Sequence, residues 1–172
     1  MQVKIQQIIN LCKKTGELYV VHTGDVQWVG NGQAMYPLYD LPKLTAEELC
    51  NIYSITEEQQ SKMILNDKKA EDFPGVDFDE AGASDIPVEI NKMAIIYAGQ
   101  TMLTLKSGDE INFARRIYFT PFKEEIELWK KECAVGTYYV VTTGMLTVGI
   151  IFPEMDMRIN IAAEIKELAN KL

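Results

Sequence analysis

The sequence predicts an α+β fold, with helices at the N-terminus, in the middle and at the C-terminus. They cover one or two antiparallel sheets of about six to eight strands. Three observations lead there. Strand-length apolar runs are joined by glycine turns at Gly24-Asp25, Gly99-Gln100, Ser107-Gly108-Asp109 and Gly144, the signature of hairpins. Apolar residues at helical spacing mark both ends of the chain. The regular strand–helix–strand series of a parallel sheet is missing. A chain of 172 residues suits one domain, spanning 1–172, with enough core to need no disulfide or metal.

The elements follow in order. Ile5, Ile8, Ile9 and Cys12 share one helix face, Lys13 and Lys14 suit its C-terminal end, and Gly16 is a stop. Leu18–Thr23 and Val26–Val29 read as a hairpin, and Gly30-Asn31-Gly32 turns into a short strand at Gln33–Tyr36. Thr45 with Glu48, and Thr56 with Gln59, are capping boxes. They start helices predicted at 46–53 and 57–65, with a break at Ser54-Ile55-Thr56. Ala94–Ala98, Thr101–Lys106 and Glu110–Phe119 read as strands. Thr120-Pro121 reads as a helix start, and Phe122, Ile126, Trp129 and Cys133 as the face of that helix. Thr137–Thr143 and Met145–Phe152 form a last hairpin, and Asn160 caps a final helix with Ile161, Ile165, Leu168 and Leu172 on one face.

Residues 66–89 stand apart. Eight acids (Asp67, Glu71, Asp72, Asp77, Asp79, Glu80, Asp85, Glu89) outweigh two bases, a local charge of −6, and Pro74, Gly75, Gly82 and Pro87 break any pattern. The segment is expected to be a loop or linker that Phe73, Val76, Phe78 and Ile86 can pin to the body.

Gly16–Gly24 and Gly136–Gly144 match at six of nine positions, each after paired lysines. Two readings stand evenly: a duplicated helix–hairpin unit, or convergence of strand and turn sequences on Val, Tyr, Thr and Gly.

Composition excludes more than it assigns. The net charge of −8 argues against non-specific binding to nucleic acid or anionic membrane, which basic charge drives. One histidine and three scattered cysteines argue against most zinc sites and against a disulfide framework. Cys12 and Cys133 are expected as reduced thiols on helix faces. No signal peptide or membrane helix is predicted, which points to the cytoplasm. Gly30-Asn31-Gly32 lacks the third glycine of a phosphate loop, and Ser84 lacks the surroundings of a hydrolase nucleophile. Asp77-Phe78-Asp79-Glu80 imitates the start of a calcium loop but fails at Ala81 and Val88. His22 has no third group to orient it as a base. Arg115 and Arg116, read as neighbours in one strand, point to opposite faces, and Lys123, Lys130 and Lys131 make at most a small basic surface. The expectation is therefore no enzyme, no metal and no cofactor. Trp28, Tyr36 and Tyr39 cluster near the first hairpin. Exposed, they would form a contact patch; buried, they are core, the better reading for Trp28.

The run Asp25–Leu38, followed by Leu41-Pro42 and the Thr45 helix, resembles poorly characterised accessory proteins of phages and prophages of gut Gram-positive bacteria. The resemblance extends through the acidic segment and the second half. It implies a viral protein acting in the host cytoplasm, of the kind that includes anti-CRISPR inhibitors of Cas9. No binding residue carries over from it. The function expected is a non-enzymatic inhibitor of a host nucleic-acid-handling defence protein such as Cas9. The acids Asp72, Asp77, Asp79 and Glu80 and the aromatics Trp28, Tyr36 and Tyr39 are its candidate contact residues. The plainer reading of the acids is a solvated loop. Alternatives are a replication or recombination accessory built like a sliding clamp, and a sponge for a nucleotide signal.

Overall fold

The amphipathic N-terminal segment folds as α1 (Ile5–Thr15), with Ile5, Ile8, Ile9, Leu11 and Cys12 buried and Gly16 ending it in the left-handed region at φ 77°. The chain then runs through β1 (Glu17–Thr23), β2 (Val26–Gly30), β3 (Ala34–Leu38), α2 (Ala46–Ile52), α3 (Glu57–Gln60) and β4 (Ile64–Lys69). Next come β5 (Pro87–Tyr97), β6 (Gln100–Ser107), β7 (Glu110–Arg115), β8 (Glu127–Cys133), β9 (Gly136–Thr143), β10 (Leu146–Ile151) and α4 (Ala162–Asn170). The computed structural model describes residues 3–78, 84, 86–123, 125–155 and 162–171.

The class is α+β. Ten strands form one mostly antiparallel sheet in the order β4-β1-β2-β3-β10-β9-β8-β5-β6-β7, more strands than expected. The exception to antiparallel pairing is β4, which lies parallel to β1 from Glu17↔Ile64 to His22↔Lys69. The two glycine hairpins pair tightly, Thr23 with Val26 and Thr143 with Leu146. They flank β3, which joins β10 through Met35↔Ile150 and Ala34↔Ile151. The long β5 changes partner along its length. Pro87 and Val88 pair with β8, and after a register shift between Ile90 and Ala94 the strand pairs with β6.

That bend carries β6 and β7 over one face of the sheet. Leu105 and Ala114 share the main core with Leu18, Val20, Val29, Tyr36, Leu128, Tyr139, Val141, α1 and α2. Val21, Trp28, Met35, Tyr138, Val140 and Ile150 point to the opposite face and form a second core. A third, smaller core lies under α4, where Ala169 meets Met102, Ile111 and Phe113.

Several expectations are corrected. The helix predicted from Phe122 to Cys133 is instead β8, paired with β9 over seven registers from Glu127↔Thr142 to Cys133↔Gly136. Lys130 hides the alternation: it occupies an inward position because Glu110 and Glu132 neutralise it, at 2.5 and 2.9 Å. Cys133 is therefore a half-buried strand residue, while Cys12 and Cys50 are buried helix thiols. The repeat covers the hairpins alone, because α1 precedes one copy and β8 the other. The second middle helix stops at Gln60, and Ile64 turns into β4 with its N–H bonded to the Gly16 carbonyl. A capping box sets where a helix starts, not its length. Residues 66–69 thus belong to a strand, 70–72 form a 3₁₀ turn, and 87–89 open β5, so the expected loop is strand at both ends. Finally, the strand from Glu110 ends at Arg115, and Arg116–Phe119 is a 3₁₀ turn that buries Tyr118. Arg115 and Arg116 are therefore not alternating strand neighbours; Arg115 pairs with Glu154 at 2.8 Å.

Two turn details follow local chemistry. Ser54, at the predicted break, has φ 54°. The β5–β6 turn is Ala98-Gly99, one residue earlier than expected, with φ 48° and 74°, as a two-residue hairpin loop of this hand requires.

Candidate functional site

Residues 70–78 of the acidic segment form a strap across the second face of the sheet. Of the four apolar residues expected to pin the segment, Phe73, Val76 and Phe78 pack into the core around Trp28 and Tyr138, whereas Ile86 is exposed. Phe78 is 5% exposed, and its ring meets Trp28 edge-on at 5.2 Å and Phe73 at 5.4 Å. Two further contacts fix the strap. The Tyr138 hydroxyl is hydrogen-bonded by the Asp77 backbone, which partly offsets the upward push of burial on that phenol. Gly75, at φ +78°, lies so close to the β8–β9 turn that a Cβ there would come within 2.7 Å of the Cys133 Cβ and 2.8 Å of the Ala134 nitrogen. Only glycine combines that backbone conformation with that approach.

With its apolar side chains inward, the strap holds Glu71, Asp72 and Asp77 exposed. Asp72 also closes the 3₁₀ turn, one carboxylate oxygen accepting the Lys69 N–H at 2.9 Å. Asp67 faces elsewhere, its carboxylate accepting the Ala46 N–H at the start of α2. Asp79 and Glu80 lie outside the described residues.

Beside the strap lies a cleft of about 240 Å³. Phe73, Pro74 and Val76 form one wall, Phe152, Pro153 and Met155 another. Gly32, Gln33, Val135 and Thr137 line the rest, and Asp72 brings a carboxylate. Four separate stretches of sequence meet there. Of the lining residues the sequence offers Asp72, Phe73 and Val76 as contact or anchor candidates, through the apolar spacing within an acidic run, and Gly32 and Pro74 as turn residues alone. Val135 and Met155 carry no such signal.

The exposed aromatic patch does not form, and Trp28 is core, as its better reading has it. Trp28 is 2% exposed and Tyr36 is fully buried. Tyr36 donates its hydroxyl to the Tyr118 carbonyl at 2.6 Å and packs on Phe122. The reason is packing on both sides of the sheet: Tyr36 points into the main core and Trp28 into the second, so both faces of β2 and β3 are covered. Tyr39 is the member that reaches the surface, 43% exposed, and its hydroxyl donates to the Thr147 carbonyl at 2.7 Å.

Other chemical groups are tied into structure. His22 is exposed, with Nε2 3.0 Å from the Leu44 carbonyl. Burial raises the Cys12 thiol far above its usual value, with Cys50 and Glu17 adding to the effect, so it is a poor nucleophile. Gly30-Asn31-Gly32 is a turn closed by the Asn31 side chain, which accepts the N–H groups of Gln33 and Ala34. Among the described residues, no group of three His, Cys, Asp or Glu side chains could hold a metal ion. Nor is any described helix long and apolar enough to cross a membrane.

Lys130 is a further charged centre. Its side chain is 10% exposed between Glu110 and Glu132. Hydrogen bonds to these carboxylates push the ammonium up, and the Lys130 hydrogen bond holds Glu110 below its ordinary value. Nearby Tyr139 is raised by burial to about 12, against a hydrogen bond from Asn112. This centre clamps the β6–β7 hairpin to β8; it removes Lys130 from the small basic surface considered above. Compared with known proteins, the chain matches no protein family, no curated protein and no solved structure.

Proposed function

We propose that the chain is a non-enzymatic, phage-encoded binding protein that inhibits a host nucleic-acid-handling defence protein, with Cas9 as the leading case. The supporting observation is the strap. Its aromatic anchors hold Glu71, Asp72 and Asp77 outward on a rigid sheet instead of leaving them in a solvated loop. Charges fixed before association lose less entropy on binding than charges on a mobile chain. An ordered row of carboxylates can stand in for phosphates in a basic channel. The net charge of −8 favours encounter with such a channel over contact with the nucleic acid itself.

The deciding experiment is a cleavage assay with a Cas9–guide RNA complex and increasing amounts of the full chain. Loss of target binding or cleavage is expected. Cleavage and target binding that stay unchanged at saturating protein refute the Cas9 assignment. A pull-down from host lysate then asks whether a different nucleic-acid-binding protein is retained.

A further inference from the structure

We propose that the cleft beside the strap is a socket for one arginine side chain of a basic partner protein. This deepens the binding role proposed above and rests on it for the partner. Three features point to arginine. The cleft measures about 240 Å³, below the roughly 300–1,000 Å³ of small-molecule sites. That size suits a single side chain, the usual anchor of a protein interface. Its walls offer the rings of Phe73 and Phe152 and the edges of Pro74 and Pro153, surfaces on which a guanidinium and its methylene stem pack well. Asp72 supplies the counter-charge at the same cleft. One of its oxygens takes the Lys69 N–H, and the other has no partner among the described residues.

Arginine fits better than its rivals for stated reasons. Lysine offers a compact ammonium that stacks poorly on a ring. An apolar side chain would bring Asp72 against a group that cannot satisfy it. An acidic one would meet the charge of the strap. The strap and the socket therefore read the same partner at two ranges: the carboxylates attract a basic surface, and the cleft selects one residue from it. Val135, 60% exposed, and Met155, 40% exposed, are large apolar residues of the lining that reach solvent.

The test is an amide NMR titration of the full ¹⁵N-labelled chain. The probes are blocked glycine peptides with one central arginine, lysine, citrulline or norleucine. The arginine peptide is expected to shift Gly32, Gln33, Phe73, Val76 and Thr137. Citrulline and norleucine peptides should bind about tenfold more weakly or worse, the worth of a charge-assisted hydrogen bond. The lysine peptide should bind more weakly than arginine, and Asp72→Asn should lose a similar factor for the two cationic peptides while leaving citrulline and norleucine unchanged, since an amide oxygen still accepts the Lys69 N–H. Val135→Trp, placed on an exposed turn, should block all four peptides while leaving the remaining spectrum unchanged. Equal binding of citrulline, indifference to Asp72→Asn, shifts elsewhere, or no shifts overturn the socket. Cleavage inhibition that survives both variants leaves the inhibitor role standing without the socket. Arginine binding by a chain that inhibits nothing leaves the socket standing without that role.

Discussion

Gly75 marks the closest approach of the strap to the sheet, and two effects coincide there. A Cβ would meet the Cys133 Cβ at 2.7 Å, and the backbone sits at φ +78°. Left-handed backbone costs a residue with a Cβ about 1–2 kcal/mol, and the contact adds to it. Gly75→Ala should therefore lower stability by about 2 kcal/mol or more, read as a lower urea midpoint at unchanged slope. Glu110 offers a second single-residue test, one that depends on pH. Its folded-state value lies below the ordinary 4.5 because Lys130 bonds its charged form. A depressed carboxyl contributes fully above its unfolded value and loses that contribution as pH falls through the folded one. Lys130 is raised above its ordinary 10.5, so its share is present below that value and is lost as pH rises through the higher folded one. Wild type should therefore be more stable than Glu110→Gln at neutral pH, and the gap should close as denaturation curves are taken below pH 4.5. A gap that stays constant into acid would show that the pair contributes nothing to folding.

At the scale of elements, the strap behaves as a small unit whose hold depends on Phe78. Phe78→Ala removes a ring packed against both Trp28 and Phe73. The loss should be about 3 kcal/mol, and limited proteolysis should cut the 70–78 stretch first, while the hairpins stay protected. Cutting spread evenly over the chain would mean that strap and sheet unfold together. Elements announced by local chemistry were legible in advance. The α1 face, the Thr45 and Thr56 caps and the hairpins at Gly24, Gly108 and Gly144 each depend on neighbours in sequence. Elements decided by distant partners were not. Ile64–Lys69 becomes a strand because β1 offers it an edge, and Glu127–Cys133 does so because Lys130 finds Glu110 on another hairpin. The cleft was hidden for the same reason, since its walls come from turns far apart in sequence that only the folded sheet brings together.

For the whole molecule, the net charge of −8 is concentrated in the half that carries the strap. Association with a basic partner should therefore weaken as salt rises, with most of the change in the association rate. Replacing Asp77, Asp79 and Glu80 by Asn, Asn and Gln should slow association while leaving the melting temperature unchanged, because a surface charge such as the exposed Asp77 contributes within about 0.5 kcal/mol to folding. A triple variant that binds as before at low salt would remove these carboxylates from the interface and leave Asp72 and Tyr39 to carry it.

The seam between β3 and β10 has a consequence for how the molecule is made. Ala34 and Met35 pair with Ile151 and Ile150, residues that leave the ribosome long after the first hairpin. At about 5–20 residues per second, the early strands wait several seconds with β3 as an unpaired edge. Tyr36 meanwhile lacks the Tyr118 carbonyl that receives its hydroxyl. Such an edge invites pairing with another nascent chain. Pro37 within β3 has no N–H to donate, and so limits that pairing until β10 arrives to close the sheet.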